Sequence, residues 1–393
     1  MTSVAKLDAT TLSKTIDPVM QSFVDRSKVP GLVYLLQHGN EEPIVGCFGS
    51  THLGAGAPLQ PDSIFRIASM TKPITAAATL MLVDEGLLAL DDPVSRFIPG
   101  FDAFRVLVDP EDPTGPTEPL DRPITVRHLL TTASGLSYGE FRHTPIDRLY
   151  AEADLFSVQL PELITRLVRL PLEFQPGTGW RYSIAFDVLG YLIQVVAGKP
   201  FDTFLQERIL DPLGMADTGF VLPAASVGRF TAAYTIPEDG VPLLVDEPTT
   251  SDLLHPDRPL HGGGGLISTA RDFLRFMRML RNGGELGGVR VLQPRTVALM
   301  VENHLPSDRT PIQVAGTTLE GMGYGLGVGV CVGQTPWLSG MGTGSFWWMG
   351  VAGTGVWYDP RRDLIGLLMT QVTMYYEPWI TLMNLVNRAV PLD

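Results

Sequence analysis

The chain has 393 residues, 45% of them apolar and 18% charged. That is long enough for two or three domains with ample core, and it excludes a disordered chain or a small disulfide scaffold. Acidic residues outnumber basic ones 42 to 29, a formal charge of −13, which makes nucleic acid and anionic membrane poor partners. Five of the cations are lysines: Lys6, Lys14, Lys28, Lys72 and Lys199.

The first thirty residues lack the basic start, apolar core and small-residue cleavage site of a secretory signal, so a cytoplasmic protein is expected. Residues 9–28 carry a loose helical period, after which 32–37 and 43–48 flank a polar turn and predict a hairpin. Helical patterns follow at 72–85, 124–132, 161–169, 184–196, 201–210 and 270–281, separated by loops rich in proline and glycine. Residues 109–123 read as a surface excursion. No apolar run reaches the ~18 residues of a membrane helix, and the runs at 74–83 and 188–198 read as buried helices. Residues 321–358 hold twelve glycines and no charged side chain. Strands are predicted at 345–349, 354–358 and 364–372, and a last helix at 377–390. The order predicts an α+β fold: an antiparallel β-sheet flanked by helices, built by residues 1–68 and 290–393, with a mainly helical domain at 69–289 and an active site between them.

Three segments carry chemistry. In Phe65-Arg66-Ile67-Ala68-Ser69-Met70-Thr71-Lys72-Pro73, serine and lysine are three residues apart, on one face at the opening of an apolar helix. A serine hydroxyl becomes nucleophilic when a neighbour takes its proton, and desolvation lets a lysine do so. The competing reading is a helix-capping serine with a surface lysine. A second copy, Ser3-Val4-Ala5-Lys6, sits in a polar terminus that would leave its lysine solvated. The loop Gln175–Ser183 delivers Tyr182 to the mouth of a helix, where a phenol can shuttle protons if cations hold its pKa down; alternatively it fills the core behind a capping Ser183. Trp347-Trp348-Met349-Gly350-Val351 begins a strand whose end can offer a backbone N–H to an oxyanion, or can simply be core.

Other motifs read differently. Gly135-Leu136-Ser137-Tyr138-Gly139 spells G-x-S-x-G, but the strand before and the helix after that an α/β-hydrolase elbow requires are missing. His255 and His261, with Asp252 and Asp257, lie in a proline-broken loop without the i,i+4 frame of a metal site; His38, His52, His128, His143 and His304 are dispersed. The glycines 262–265 read as a turn before a helix. Cys47 and Cys331 share no disulfide or zinc spacing and read as buried thiols. Asp187, five residues after Tyr182, orients a polar network or is an exposed helix acid.

Together with residues 87–93, 128–136 and 261–272, the three segments resemble the serine β-lactamase and penicillin-recognising fold, specifically the class C-like carboxylesterases called family VIII esterases. The resemblance implies that Ser69 is the acylated nucleophile, Lys72 its base and Tyr182 a proton relay. It also implies an oxyanion hole from the backbone N–H groups of Ser69 and Val351, and substrate contacts from Tyr138, Ile184, Trp348 and Gly350. Two positions depart from the β-lactamase pattern. Tyr182-Ser183-Ile184 stands where Tyr-x-Asn is found, and Trp348-Met349-Gly350 where Lys-Thr-Gly is found, which removes partners for a β-lactam's amide and carboxylate. The expected reaction is therefore cleavage of a small-molecule ester of short or medium acyl chain or bulky alcohol, with no cofactor and no metal. Trp337, Met341, Phe346, Trp347, Trp348 and Trp357 would furnish an apolar pocket. The alternatives are β-lactamase or D-amino-acid amidase or peptidase chemistry on the same residues, acyl transfer, or a catalytically silent binding protein.

Overall fold

The computed structural model describes residues 9–139, 144–238, 240–338 and 340–390; Ser3, Lys6 and His143 lie outside the described residues. The elements that position the site are strands β1 (Gly31–His38), β2 (Ile44–His52), β3 (Ala55–Pro58), β4 (Met322–Tyr324), β5 (Gly329–Cys331), β6 (Phe346–Gly350), β7 (Thr354–Asp359) and β8 (Leu364–Met369). The principal helices are α1 (Ala9–Asp25), α2 (Thr71–Asp84), α3 (Ala185–Ala197), α4 (Ala270–Arg281) and α5 (Glu377–Ala389).

All eight strands join one antiparallel sheet in the order β4-β5-β6-β7-β8-β1-β2-β3. The two chain ends meet at its centre, where β1 pairs with β8 in the register Val33↔Met369 and Leu35↔Leu367. Side chains alternate across a strand, and both faces of β1 are buried. Val33 and Leu35 join a core with Ile74, Leu80, Phe273 and Met277 of the intervening helices. Leu32, Tyr34 and Leu36 pack with Ile16 and Met20 of α1 and with Trp379 and Leu382 of α5. The fold is thus α+β, with helices on each side of a large antiparallel sheet.

Two short strands, β4 and β5, lie in the first part of the glycine-rich stretch, ahead of the strand predicted at 345–349, where the sequence shows no strand pattern. Glycines across the sheet make room for indole rings: a Cβ on Gly329 of β5 would fall 2.9 Å from the Trp347 ring, on Gly355 of β7 2.5 Å from that of Trp379, and on Gly366 of β8 2.2 Å from that of Trp357. The predicted helix at 201–210 is α-helical only over Phe201–Leu205, and Gln206–Leu210 continues as a π-turn. Cys331 is buried but Cys47 only half so, and both are free thiols. Among the described residues no helix is long and apolar enough to cross a membrane.

Candidate active site

Ser69 lies in the 3-10 turn Ala68–Met70 that runs directly into α2. The chain leading to it is held on two sides. Phe65–Arg66 pairs with Ile267–Ser268, and the buried Gln371 side chain accepts from Arg66 N and donates to Arg66 O, each at 3.0 Å. Ala68 then adopts φ +45°, a left-handed conformation that costs an L-residue on the order of 1–2 kcal/mol. The surrounding bonds hold that bend, which turns Ser69 into a cavity.

One helical turn on, Lys72 is fully buried among the apolar residues of α2. Its Nζ lies 3.2 Å from Ser69 Oγ and donates to Gly263 O at 2.6 Å. Burial disfavours the ammonium and brings its pKa from 10.5 down to about 7, a fall that the Asp187 carboxylate partly opposes. An amine with that pKa is available as a base at neutral pH.

Tyr182 reaches the same hydroxyl from another element, donating from Oη to Ser69 Oγ at 2.7 Å. The loop is anchored next door. Arg181 N donates to Thr132 O at 3.1 Å, and its buried guanidinium pairs with Asp147 and Glu173. The ring of Tyr138 stacks on that of Tyr182 with centroids 5.4 Å apart, and Lys72 Nζ lies 4.5 Å from the Tyr182 centroid. Burial pushes the Tyr182 phenol well above its ordinary value. The condition that cations hold the phenol's pKa down is therefore not met: burial outweighs the neighbouring amine, and Tyr182 is suited to donate its proton.

The third segment closes the site. Strand β6 ends against the turn that bears Ser69, so closely that a Cβ on Gly350 would lie 2.3 Å from Ile67 O. Val351 follows, its carbonyl fixed by Met374 N at 2.7 Å. Ser69, Tyr182 and Val351 line a cavity of about 490 Å³ whose walls include Trp337, Trp347, Trp348, Met349 and Ile380. Among the described lining residues Glu320 is the one charged side chain, and none is basic.

Trp348 is in this wall, whereas three other predicted substrate contacts are elsewhere. Tyr138 backs Tyr182 as described. Ile184 is wholly buried in the core, its N–H donating to Ser137 O at 3.1 Å. Gly350 is taken up by packing against Ile67 and Thr354. Met341, Phe346 and Trp357 also pack in the core instead of lining the cavity. Ser137, the G-x-S-x-G serine, is buried and donates to Asp147 Oδ1 at 2.5 Å, a structural bond that leaves it no role at the cavity. Among the described residues no group of His, Cys, Asp and Glu is arranged to hold a metal.

Little in the sequence signals what lies behind Lys72. Asp187 is fully buried, not an exposed helix acid, and its Oδ1 lies 3.5 Å from His261 Nδ1 and from Gly263 N. His261 is not in a solvated loop either: the turn 261–265 folds back to give Lys72 its carbonyl acceptor and Thr75 another, Gly262 O at 2.7 Å. The signal available is the pairing of a glycine run with a buried lysine that needs an acceptor.

Residues 16–378 match the family described as Beta-lactamase. The chain belongs to the beta-lactamase family. Protein Rv1367c of Mycobacterium tuberculosis (strain ATCC 25618 / H37Rv) is 38% identical over 352 residues, 88% of this chain and 87% of its own. Esterase EstB of Burkholderia gladioli is 34% identical over 385 residues, 93% of this chain and 91% of its own. Among solved structures, "EstCE1, a hydrolase with promiscuous acyltransferase activity" superposes with a TM-score of 0.83 at 26% identity, over 97% of this chain and 100% of that one. Within the beta-lactamase family this protein is an enzyme of the serine hydrolase kind, with an esterase among its relatives.

Proposed function

We propose that this enzyme cleaves carboxylic esters through an acyl-enzyme on Ser69. The ester carbonyl enters with its oxygen toward the backbone N–H groups of Ser69 and Val351, which meet the charge that develops there. Ser69 Oγ bonds to the carbonyl carbon while its proton passes to Lys72 Nζ. As the tetrahedral adduct collapses, the ester C–O bond breaks and the leaving alkoxide takes a proton from Tyr182 Oη. The Lys72 proton then restores the phenol, and water attacks the acyl group by the same route in reverse.

The observation that carries this reading is the meeting of a fully buried amine and a phenol on one serine hydroxyl, 3.2 and 2.7 Å away, at an apolar cavity. A lining without a basic side chain favours neutral esters over β-lactams or peptides, whose carboxylates need a cation. Acyl transfer to an alcohol is the second reading, favoured by the apolar wall, which holds an alcohol better than water, and by the likeness to EstCE1, a hydrolase with promiscuous acyltransferase activity. Intact mass after incubation with a fluorophosphonate, followed by peptide mapping, tests the proposal. One adduct on Ser69 is expected, absent in Ser69→Ala together with p-nitrophenyl ester turnover; an adduct elsewhere, or turnover kept by the variant, overturns it.

A further inference from the structure

The proposed mechanism leaves unused a carboxylate and an imidazole behind Lys72. Asp187 sits in the first turn of α3, where the helix N-terminus favours a negative charge, and it is fully buried. Its Oδ2 accepts no hydrogen bond from the described residues, which is costly for a buried carboxylate unless a nearby positive charge compensates it. Gly263 stands between it and the lysine. The Gly263 carbonyl accepts from Lys72 Nζ at 2.6 Å, its N–H points to Asp187 Oδ1 at 3.5 Å, and a Cβ there would lie 2.8 Å from Asp187 Oδ2 and 3.3 Å from Lys72 Nζ. A bare glycine therefore holds the two groups close without letting a side chain intrude. On the far side, His261 Nδ1 faces Asp187 Oδ1 at 3.5 Å, and the imidazole, with its edge on Phe156, is 16% exposed.

We propose that Asp187 and His261 are a positioning pair that governs the charge on Lys72, the carboxylate favouring the ammonium and the imidazole moderating that carboxylate. The inference rests on the assignment of Lys72 as the base for Ser69. The groups that face Lys72 support it. Ser69, Tyr182, Tyr138 and Phe186 present a hydroxyl and aromatic rings, the turn at 263 presents a carbonyl, and the acting charge is that of Asp187. A direct ion pair would lock the lysine as a cation and spoil it as a base; no countercharge at all would leave it unable to hold the proton it must later return. Spacing by Gly263 gives the intermediate case. His261 Nδ1 stands 3.5 Å from the same carboxylate, where it can draw on Asp187 from the side away from Lys72.

The test is the rate of fluorophosphonate labelling of Ser69, read by intact mass across pH in the full chain, for wild type, Asp187→Asn and His261→Asn. Removing the carboxylate favours the free amine, so the midpoint of the acid limb in Asp187→Asn falls by about one pH unit or more. Removing the imidazole leaves the carboxylate unmoderated, so the midpoint in His261→Asn rises. Opposite movements are not what loss of packing produces, since that lowers the rate at every pH and leaves the midpoint in place. Unmoved midpoints, whatever the rates, overturn the proposal. If circular dichroism shows that Asp187→Asn does not fold, the His261→Asn midpoint decides: a rise supports the pair and an unchanged value overturns it. A wild-type protein that takes no label on Ser69 overturns the proposed function and this inference with it, whereas normal labelling with superimposed profiles overturns the inference alone.

Discussion

Replacing Lys72 by methionine keeps the length and apolar stem of the side chain and removes its titration. Lys72 is fully buried, and its pKa falls from 10.5 to about 7 on folding. At about 1.4 kcal/mol per pH unit, a protonated Lys72 costs the fold roughly 5 kcal/mol. That cost is complete below pH 7, where both states carry the proton, and is relieved as the pH rises toward 10.5. Between those limits the unfolded chain binds a proton that the folded chain has released, so stability rises with pH. From about pH 6 to about pH 9 the wild type therefore gains roughly 2–3 kcal/mol that Lys72→Met does not. The difference between the two proteins in this pH dependence isolates Lys72, because the other titrating groups are common to both. Urea-denaturation midpoints of each protein at the two pH values measure it. Parallel pH dependence in wild type and variant would refute the reasoning, since it would mean that Lys72 carries the same proton folded and unfolded.

Two further outcomes follow from the geometry around Tyr182. Tyr182→Phe removes the proposed proton donor to the leaving group and is expected to slow p-nitrophenyl ester turnover by about 10²–10⁴-fold, while mass spectrometry still finds the fluorophosphonate on Ser69. Arg181→Met strands the buried Asp147 carboxylate, costing about 3–5 kcal/mol; chemical denaturation gives the loss, and turnover falls with it because the loop that presents Tyr182 loses its anchor.

The parts of this fold that are legible in the sequence are those whose patterns are local. The strands at both ends, the covering helices and the hydrophobic setting of Lys72 follow from short-range periodicity, and the meeting of chain ends follows from the order of elements. Strands β4 and β5 are not legible, because three residues each are too few to show alternation and the glycine of β5 makes room for the Trp347 ring of the neighbouring strand β6. The serine, lysine and tyrosine are visible as residue types in suggestive settings, but whether each meets the others is a tertiary matter. Asp187 illustrates the limit: an acid in the first turn of a helix is ordinary in sequence, and its burial arises from the turn at 261–265, more than seventy residues away. Ile184 and Gly350 depart from expectation for a related reason. Motif position shows that a residue is near the site, while tertiary packing decides what it does there: the Ile184 side chain is drawn wholly into the core, and Gly350 is spent on the close approach of its backbone to Ile67.

The acylation rate of Ser69 by a p-nitrophenyl ester, measured by rapid quench and intact mass as a function of pH, tests the central claim most directly. A free amine at position 72 predicts a rate that climbs about tenfold per pH unit in the acid range and levels off once the pH passes about 7. A rate that ignores pH, or one that keeps rising toward the 10.5 of an ordinary lysine, would contradict it.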